Sequence, residues 1–541
     1  MEIVSFAHYG YEGEIVKVEA DLRRGIPAID IVGLPDGAVR EARDRMRAAI
    51  RNSGLDFPRE RILINLSPAG LKKEGSSFDL SIALAVLGAA VGLGEDTLPL
   101  RIMVLGELEL SGTVRAVRGI LAAVSLGIER GIRHYIVPEE NCREAEICSG
   151  IAVIGVRTLG EAFHRLTGLA PSGSGGEAGA GRAPVNDGAE DVYTVRWGPP
   201  GAGFDEVRGQ NRLIRALQIA AAGGHHLLAY GPAGCGKTLT LRRFPLLLPE
   251  LDRETAITVT RVYSIAGLPV PESGLAREAP FREPHPGASQ EGMTGGGHQL
   301  RPGEISLAHG GALFLDEAGQ FKSSVLQSLR SPIETGRITV SRAGRSTIFP
   351  ARFQLLLSMN PCPCGNFGVE GRICVCAPES VENYWKRLTA PLLDRIDLRV
   401  AVGPPDPDEL SDGRGLDIGE LRAGIGRARL IQRARNRGAK PVSGAPDAAR
   451  GDAKFAAAGP EWLNAALDPE DTNRVCVLGP GAREIYVRCV AGMHISGRGA
   501  HGILKVARTI ADLDGSGTIE EDHLLEAAQY RRWGDGVPAF L

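Results

Sequence analysis

The octapeptide Gly231-Pro-Ala-Gly234-Cys235-Gly236-Lys237-Thr238 joins an apolar segment, Leu227 to Tyr230, to a stretch of helical character. Its glycines let backbone N–H groups turn inward around phosphate oxygens, and a helix opening at Lys237 adds its partial positive charge. Lys237 then reaches the terminal phosphates, and Thr238 supplies a hydroxyl for Mg²⁺. A chance glycine-rich turn would lack the strand before it and the helix after it, so the stretch is expected to bind ATP with Mg²⁺. A second apolar segment, Ala312 to Leu315, ends in Asp316-Glu317. Asp316 is placed to hold Mg²⁺ through water and Glu317 to polarise the attacking water. Alone the acidic pair would say little; downstream of a phosphate loop it points to hydrolysis. A third apolar segment, "FQLLLSMN", ends in Asn360, a polar group where a γ-phosphate would be sensed. Arg395 in "PLLDRIDLRV" and Arg498 in "ISGRGAHGILKVARTI" complete an ordered set of strand-end Asn, downstream Arg and C-terminal helical Arg.

Four cysteines follow Asn360 at once, Cys362, Cys364, Cys374 and Cys376 in "NPCPCGNFGVEGRICVC". The segment between the two Cys-x-Cys pairs can loop back so that the pairs meet. Four thiolates suit tetrahedral Zn²⁺ with bonds of roughly 2.3 Å, and a closed Cys₄ shell makes such a metal structural rather than catalytic. Reduced thiols in a Pro/Gly turn, or a labile redox pair, are the alternatives. A disulfide framework is disfavoured, because the start "MEIVSFAHYGYEGEIVKVEADL" is acidic where an export signal would be basic and then apolar. Nine cysteines in such a chain fit a reducing cytoplasm. The stretch "DLDGSGTIEEDH" imitates a calcium loop with Asp512, Asp514, Ser516, Gly517 and Ile519. His523 stands where a bidentate Glu should close the shell, so a turn between helices is the better account.

These residues need elements to hold them, and 541 residues are too many for one core. The apolar and charged fractions, 43% and 23%, are those of a soluble globular protein. The longest apolar stretch, "LSIALAVLGAAVGLG" at 80–94, is too short to span a bilayer and reads as a buried helix, so no membrane partner is expected. With a net charge of −3, any polyanion site must be local. The segment 168–191 is rich in Gly, Ala, Ser and Pro and reads as a flexible linker. It separates a first domain, 1–167, from a nucleotide-binding module at 192–402. A variable connecting region at 403–480 carries a basic helical pattern from 420 to 440, and 481–541 reads as a helical lid. In "SPIETGRITVSRAGRSTIF" a hairpin is expected to carry Arg337, Arg342 and Arg345 as DNA contacts, with the basic stretch 422–440 a weaker one.

The order of Asn360, Arg395 and Arg498 resembles that of AAA+ ATPases. More specifically, "PGEISLAHGGALFLDE", "NPCPCG", "PLLDRIDL" and "KVARTIADL" resemble the magnesium-chelatase-like AAA+ family typified by ComM and YifB. "DIVGLPDGAVREARDRMRAAIRNSG" and "INLSPAGLKKEGSSFDLSIAL" resemble that family's first domain. The likeness covers nearly the whole chain, apart from the linker and residues 405–475. It implies an α/β protein: a Lon-protease-like (S5-like) α+β N-terminal domain, a P-loop AAA+ αβα sandwich with extra hairpins, and a helical C-terminal lid. It implies that Arg395 completes a neighbour's site in trans within a homo-hexamer. It also implies an ATP-driven motor on single-stranded or branched DNA, which in ComM promotes branch migration during natural transformation. An ATPase subunit of a metal chelatase, remodelling a protein partner, and a nucleotide-gated scaffold are the competing readings. Two departures bear on pore loops rather than ATPase residues. Ala318-Gly319-Gln320-Phe321 replaces the family's Leu-Pro-Glu-Phe, and "REPHPGASQEGMTGGG" lacks its usual His-His. In the first domain Ser77 falls on the position of Lon's nucleophile, but the dyad lysine's position is Leu121. Lys72 and Lys73 lie on the wrong side of the turn. A serine without a base is unactivated, so the domain is expected to be an inherited fold without peptidase activity.

Overall fold

The computed structural model describes residues 1–93, 101–169, 195–198, 203–204, 207–269, 271, 273–342, 345–367, 371–404, 416–436, 462–492 and 495–532. The linker expected at 168–191 lies outside the described residues from 170 onward, as does the side chain of Arg345.

The first module is built on a seven-stranded sheet. Its order is Ile29–Val32, Arg61–Ser67, Glu14–Arg23, Glu2–Ala7, Ile102–Val104, His134–Pro138, Ala152–Val156. Glu14–Arg23 runs antiparallel to both neighbours, and the strands from Glu2–Ala7 onward are mutually parallel. Strand Glu2–Ala7 shows why helices cover both faces. Ile3 and Ala7 enter a core shared with helices Gly37–Asn52, Asp79–Ala90 and Leu159–Gly168, whereas Val4 and Phe6 enter one shared with Ile120–Glu129. Helix Gly37–Asn52 starts where Asp36 caps the Val39 N–H at 2.8 Å, and it buries Val39, Ala42, Met46, Ala49 and Ile50. The apolar run expected as a buried helix is one, buried continuously from Asp79 to Gly88.

The second module has five parallel strands in the order Phe281–Arg282, Ala312–Leu315, Gln354–Met359, Leu227–Tyr230, Leu398–Ala401. Apolar residues alternate between two cores: Leu227 and Ala229 face one, Leu228 and Tyr230 the other. Tyr230 pairs with Met359, and Leu315 with Leu357. That register brings Gly231, Asp316 and Asn360 to one edge, outside the carboxyl ends of neighbouring strands, where open parallel sheets bind ligands. The hairpin Arg337–Arg342/Arg345–Pro350 forms as expected.

The helical part begins earlier than 481. Residues 418–436, expected within a loose connector, form helix Ile418–Asn436, which packs against Asn211–Gly223 and Gly497–Leu513. Three of its arginines turn inward. Arg429 donates to the Ala221 carbonyl, Arg422 to that of Leu246, and Arg435 to Asp512. Three arginines of the basic pattern 422–440 are thus engaged in packing, while Arg427 is exposed and residues 437–440 lie outside the described residues. Asp512 is fully buried, accepting from Arg435, Arg508 and Asn464. His523 caps the next helix by accepting the Glu520 N–H at 3.0 Å. The calcium-like stretch is thus a turn between helices Gly497–Leu513 and Glu521–Gln529.

Tyr11 of the first module inserts into the second. Its N–H donates to Thr347 Oγ1 on the hairpin at 2.9 Å, and its carbonyl accepts from Arg261 at 2.8 Å. The Arg261 guanidinium lies 4.2 Å above the Tyr11 ring, whose edge meets Phe349. Nearby, Gly119 N–H donates to Ser264 Oγ at 2.7 Å.

Candidate functional site

Gly231, Gly234 and Gly236 all have positive φ, which an L side chain would resist. At Gly231 a Cβ would also stand 2.0 Å from the Val402 carbonyl oxygen, so the loop must begin with glycine. Helix Lys237–Leu241 follows directly. Gln210 braces the loop from outside, donating to the carbonyls of Cys235 at 2.9 Å and Gly403 at 3.2 Å. Cys235 is buried, which pushes its thiol pKa up and leaves it a packing residue. The Lys237 ammonium is folded into the loop, donating to the carbonyls of Gly231 at 2.7 Å and Pro232 at 2.6 Å and to Asn360 Oδ1 at 3.2 Å. Burial lowers its pKa, and the neighbouring Asp316 and Glu317 offset that.

Thr238 Oγ1 donates to Asp316 Oδ1 at 3.0 Å, so the two groups expected around Mg²⁺ already touch. Hard oxygens of this kind, a hydroxyl and a carboxylate beside a phosphate loop, fit Mg²⁺, which is usually held by few protein ligands plus substrate phosphates. Ser358, one residue before the end of its strand, also donates to Asp316 Oδ1. Glu317 has φ 52°, a left-handed conformation that a glutamate adopts only when its surroundings fix it. Its N–H is fixed by Asp316 Oδ1 at 3.1 Å and Ser358 Oγ at 3.0 Å. Its carboxylate accepts from Gln320 Nε2 at 2.5 Å. The departure at 318–321 thus has a local reason: a Glu at 320 would face Glu317 as a second anion, whereas Gln donates to it. A Cβ at Gly319 would stand 2.2 Å from the Tyr384 ring. Ser358 and Gln320 escape a motif-based reading; only the alternation of "LLLS" and the register to Asp316 would have pointed to the serine.

Beyond Asn360 the chain turns into the cysteine loop, fastened by Trp385 Nε1 donating to the Pro361 carbonyl at 2.9 Å. The thiols of Cys362, Cys364, Cys374 and Cys376 all lie within 4.8 Å of one another. Cys362 is 3.3 Å from Cys364 and 3.7 Å from Cys374, and it accepts the Phe367 N–H at 3.3 Å. The Asn366 N–H, with Cys362 second, holds the Cys364 thiol down to about 6. Against a backbone N–H at each, burial and the facing thiols push the thiols of Cys374 and Cys376 up, so it is the convergence of four sulfurs that makes a donor set suited to Zn²⁺.

Arg395 and Arg498 come together, but on a group that motif reading did not single out. Arg395 Nη2 donates to Glu334 Oε1, and Arg498 Nη2 donates to the same oxygen at 2.8 Å. Arg342 at the hairpin tip is exposed and Arg337 at its root half-exposed. In the first module Leu121 is fully buried, its N–H donating to Glu144. Lys73 is buried too, but donates to the carbonyls of Gly33 at 2.9 Å and Pro68 rather than to Ser77. No described helix is long and apolar enough to cross a membrane.

A phosphate loop, an acidic strand end and a strand-end asparagine on a five-stranded parallel sheet, with a helical lid, define an AAA+ ATPase module. Three family models match in succession: "Subunit ChlI of Mg-chelatase" over 18–141, "Magnesium chelatase, subunit ChlI" over 203–410, and "Magnesium chelatase, subunit ChlI C-terminal" over 418–531. The chain is 36% identical to YifB of Escherichia coli over 97% of its own length and 96% of YifB's. It is 35% identical to "Competence protein ComM" of Haemophilus influenzae, covering 98% of this chain and 97% of that one. A Mycobacterium tuberculosis protein is 40% identical over 79% of this chain and 81% of its own. The chain belongs to the magnesium-chelatase-like AAA+ ATPase family that includes YifB and ComM.

Proposed function

We propose that this protein is a ring-forming, ATP-hydrolysing motor that moves on DNA, a helicase or translocase of the branch-migrating kind, in recombination or natural transformation. The observation that carries the reading is the convergence of Lys237, Thr238, Asp316, Glu317 and Asn360 at adjoining strand ends, with Arg395 and Arg498 gathered elsewhere. Lys237 and the loop N–H groups bind the phosphates. Thr238 and Asp316 hold Mg²⁺, which neutralises charge on the phosphates. Glu317 activates water, Asn360 senses the γ-phosphate, and Arg395 acts on the nucleotide of the next subunit in a homo-hexamer. Arg337, Arg342 and Arg345 of the hairpin face DNA in the ring's pore, where sixfold repetition compensates for a net charge of −3 per chain. The four cysteines hold a structural Zn²⁺ in a reducing, cytoplasmic setting. Lys73 and Leu121 support a first module without peptidase activity, since neither supplies Ser77 with a base.

The test is steady-state ATPase with and without single-stranded and branched DNA at two salt concentrations. Salt-sensitive stimulation that disappears in Arg395→Ala is the expected result. A DNA-indifferent ATPase would overturn the motor and leave the chelatase-type reading, in which the module remodels a protein partner.

A further inference from the structure

Glu334 lies at the end of the short helix Arg330–Thr335, and after Gly336, at φ 66°, the chain enters the hairpin strand Arg337–Arg342. One of its oxygens, Oε1, accepts from both Arg395 and Arg498, which are 103 residues apart in sequence, as 498 less 395. Partial burial opposes ionisation of this carboxyl, yet the hydrogen bonds from Arg498 and Arg395 outweigh it and hold its pKa below the ordinary range. A second contact ties the same two elements together. Ser496 Oγ donates to Asp394 Oδ1 at 2.8 Å, while also capping the Gly499 N–H of the helix that carries Arg498. Neither arginine bonds to Lys237, Thr238, Asp316 or Asn360 among the described residues, so neither is spent on the chain's own phosphate loop.

We propose that Glu334 is a positioning residue: it gathers Arg395 and Arg498 into one cationic pair for the phosphates of a neighbouring subunit's nucleotide, and ties that pair to the root of the hairpin. The inference rests on the ring reading above. Two guanidiniums side by side repel, and Arg395 is only 10% exposed, where solvent screens that repulsion little. One carboxylate between them leaves the trio with a net single positive charge and a fixed geometry. The open donors of Arg498, whose side chain is half exposed, can then meet an incoming phosphate. Thr335 Oγ1, next to Glu334, accepts the Arg337 N–H at 3.3 Å and donates to the Arg337 carbonyl at 3.1 Å. A displacement of the hairpin by DNA is thereby passed to the residue that sets the arginines.

The experiment compares wild type, Glu334→Ala, Glu334→Asp, Arg395→Ala and the Glu334→Ala/Arg395→Ala double variant. It measures kcat, KM for ATP, equilibrium binding of a fluorescent ATP analogue, and stimulation by single-stranded DNA. Glu334→Ala should lower kcat about tenfold and abolish DNA stimulation, with nucleotide binding and KM within twofold of wild type. Glu334→Asp should restore part of the loss, and adding Glu334→Ala to Arg395→Ala should cost clearly less than it does in wild type, since only Arg498 is left to place. Unchanged or raised kcat in Glu334→Ala, beside a defective Arg395→Ala, would overturn the positioning role and leave the ring intact. So would losses that multiply in the double variant. An Arg395→Ala protein as active as wild type would instead remove the ring reading and this inference with it.

Discussion

Lys73 of the first module and Lys237 of the second are buried to a similar degree, and each folds its ammonium onto backbone carbonyls beside a glycine-bearing turn. Burial pushes both pKa values down. What differs is the company. Lys237 also donates to Asn360, lies within the field of Asp316 and Glu317, and closes a loop of three positive-φ glycines. Lys73 donates to the Gly33 and Pro68 carbonyls and feels the field of one acid, Glu14, with no side-chain acceptor hydrogen-bonded to its ammonium among the described residues. The same residue in a similar local posture stands among further exchangeable partners in one module and on backbone carbonyls alone in the other. Chemistry follows from several exchangeable partners converging, not from a buried lysine.

The largest expected effects break that comparison open. Lys237→Ala should remove ATP binding, and Glu317→Gln should keep binding while lowering kcat on the order of 100-fold or more, the scale of losing a general base. Lys73→Met should leave both unaltered per folded molecule. It takes a donor from the Gly33 and Pro68 carbonyls, of which Pro68 keeps the Leu71 N–H, and so should destabilise the first module by about 1–3 kcal/mol. Nucleotide binding, single-turnover hydrolysis and hydrogen exchange resolved by module separate these outcomes. A catalytic defect in Lys73→Met would show that the first module is not merely a scaffold.

How much was visible beforehand divides along the same line. The strands Leu227–Tyr230 and Ala312–Leu315, the hairpin and the start of the helix bearing Arg498 were legible, because glycine turns and apolar runs of fixed length mark them locally. The thiol cluster was legible for the same reason, four donors lying within a short stretch. Glu334 was not, since a lone acid at the end of a short helix carries no pattern until Arg395 and Arg498 arrive from distant segments. Gln320 was read only as a departure bearing on pore loops, and nothing local in the sequence says that its amide donates to Glu317. In the basic pattern from 420 to 440 the inward turn of Arg422 and Arg429 was not legible, because periodicity cannot tell an arginine that meets water from one that reaches carbonyls across a helix interface.

An intermediate effect sharpens the comparison by confining a perturbation to one module. The cysteine loop belongs to the second: a Cβ at Gly365 would stand 3.5 Å from the Ala233 methyl in the phosphate loop, and Asn360 directly precedes it. The purified protein should carry about one zinc per chain, and Cys364→Ser/Cys374→Ser should lose it. Without the metal, Asn360 and the phosphate loop lose a fixed neighbour, so KM for ATP should rise several-fold while hydrogen exchange in the first module is unchanged. Metal analysis with thiol titration checks this. Four freely reacting thiols and no metal in wild type would sink the zinc assignment.

The smallest effect is one of pH. His226 Nδ1 accepts the Leu355 N–H at 2.9 Å and His309 Nδ1 accepts the Arg352 N–H at 3.1 Å, so two imidazoles pin the start of the strand that ends beside Asn360. Burial holds His226 down to about 4 and His309 to about 3, the latter also opposed by Arg352. Protonation would turn each acceptor into a donor facing a donor. An unfolded histidine takes its proton near pH 6.5, whereas these stay neutral until far lower. Their contribution is therefore fully present above about pH 6.5 and is lost as pH falls toward 4, because the unfolded chain binds more protons in that window. The slope should approach about 1.4 kcal/mol per pH unit for each histidine. In the first module His8 behaves comparably, held down to about 4 chiefly by burial. Hydrogen exchange at pH 7, 6 and 5 should thus show the second module loosening more steeply than the first. His309→Gln, which keeps an acceptor but cannot titrate, should remove about one proton's worth of that slope. Equal slopes in the two modules, or no change in His309→Gln, would mean that the strand bearing Asn360 is not pinned by neutral histidines.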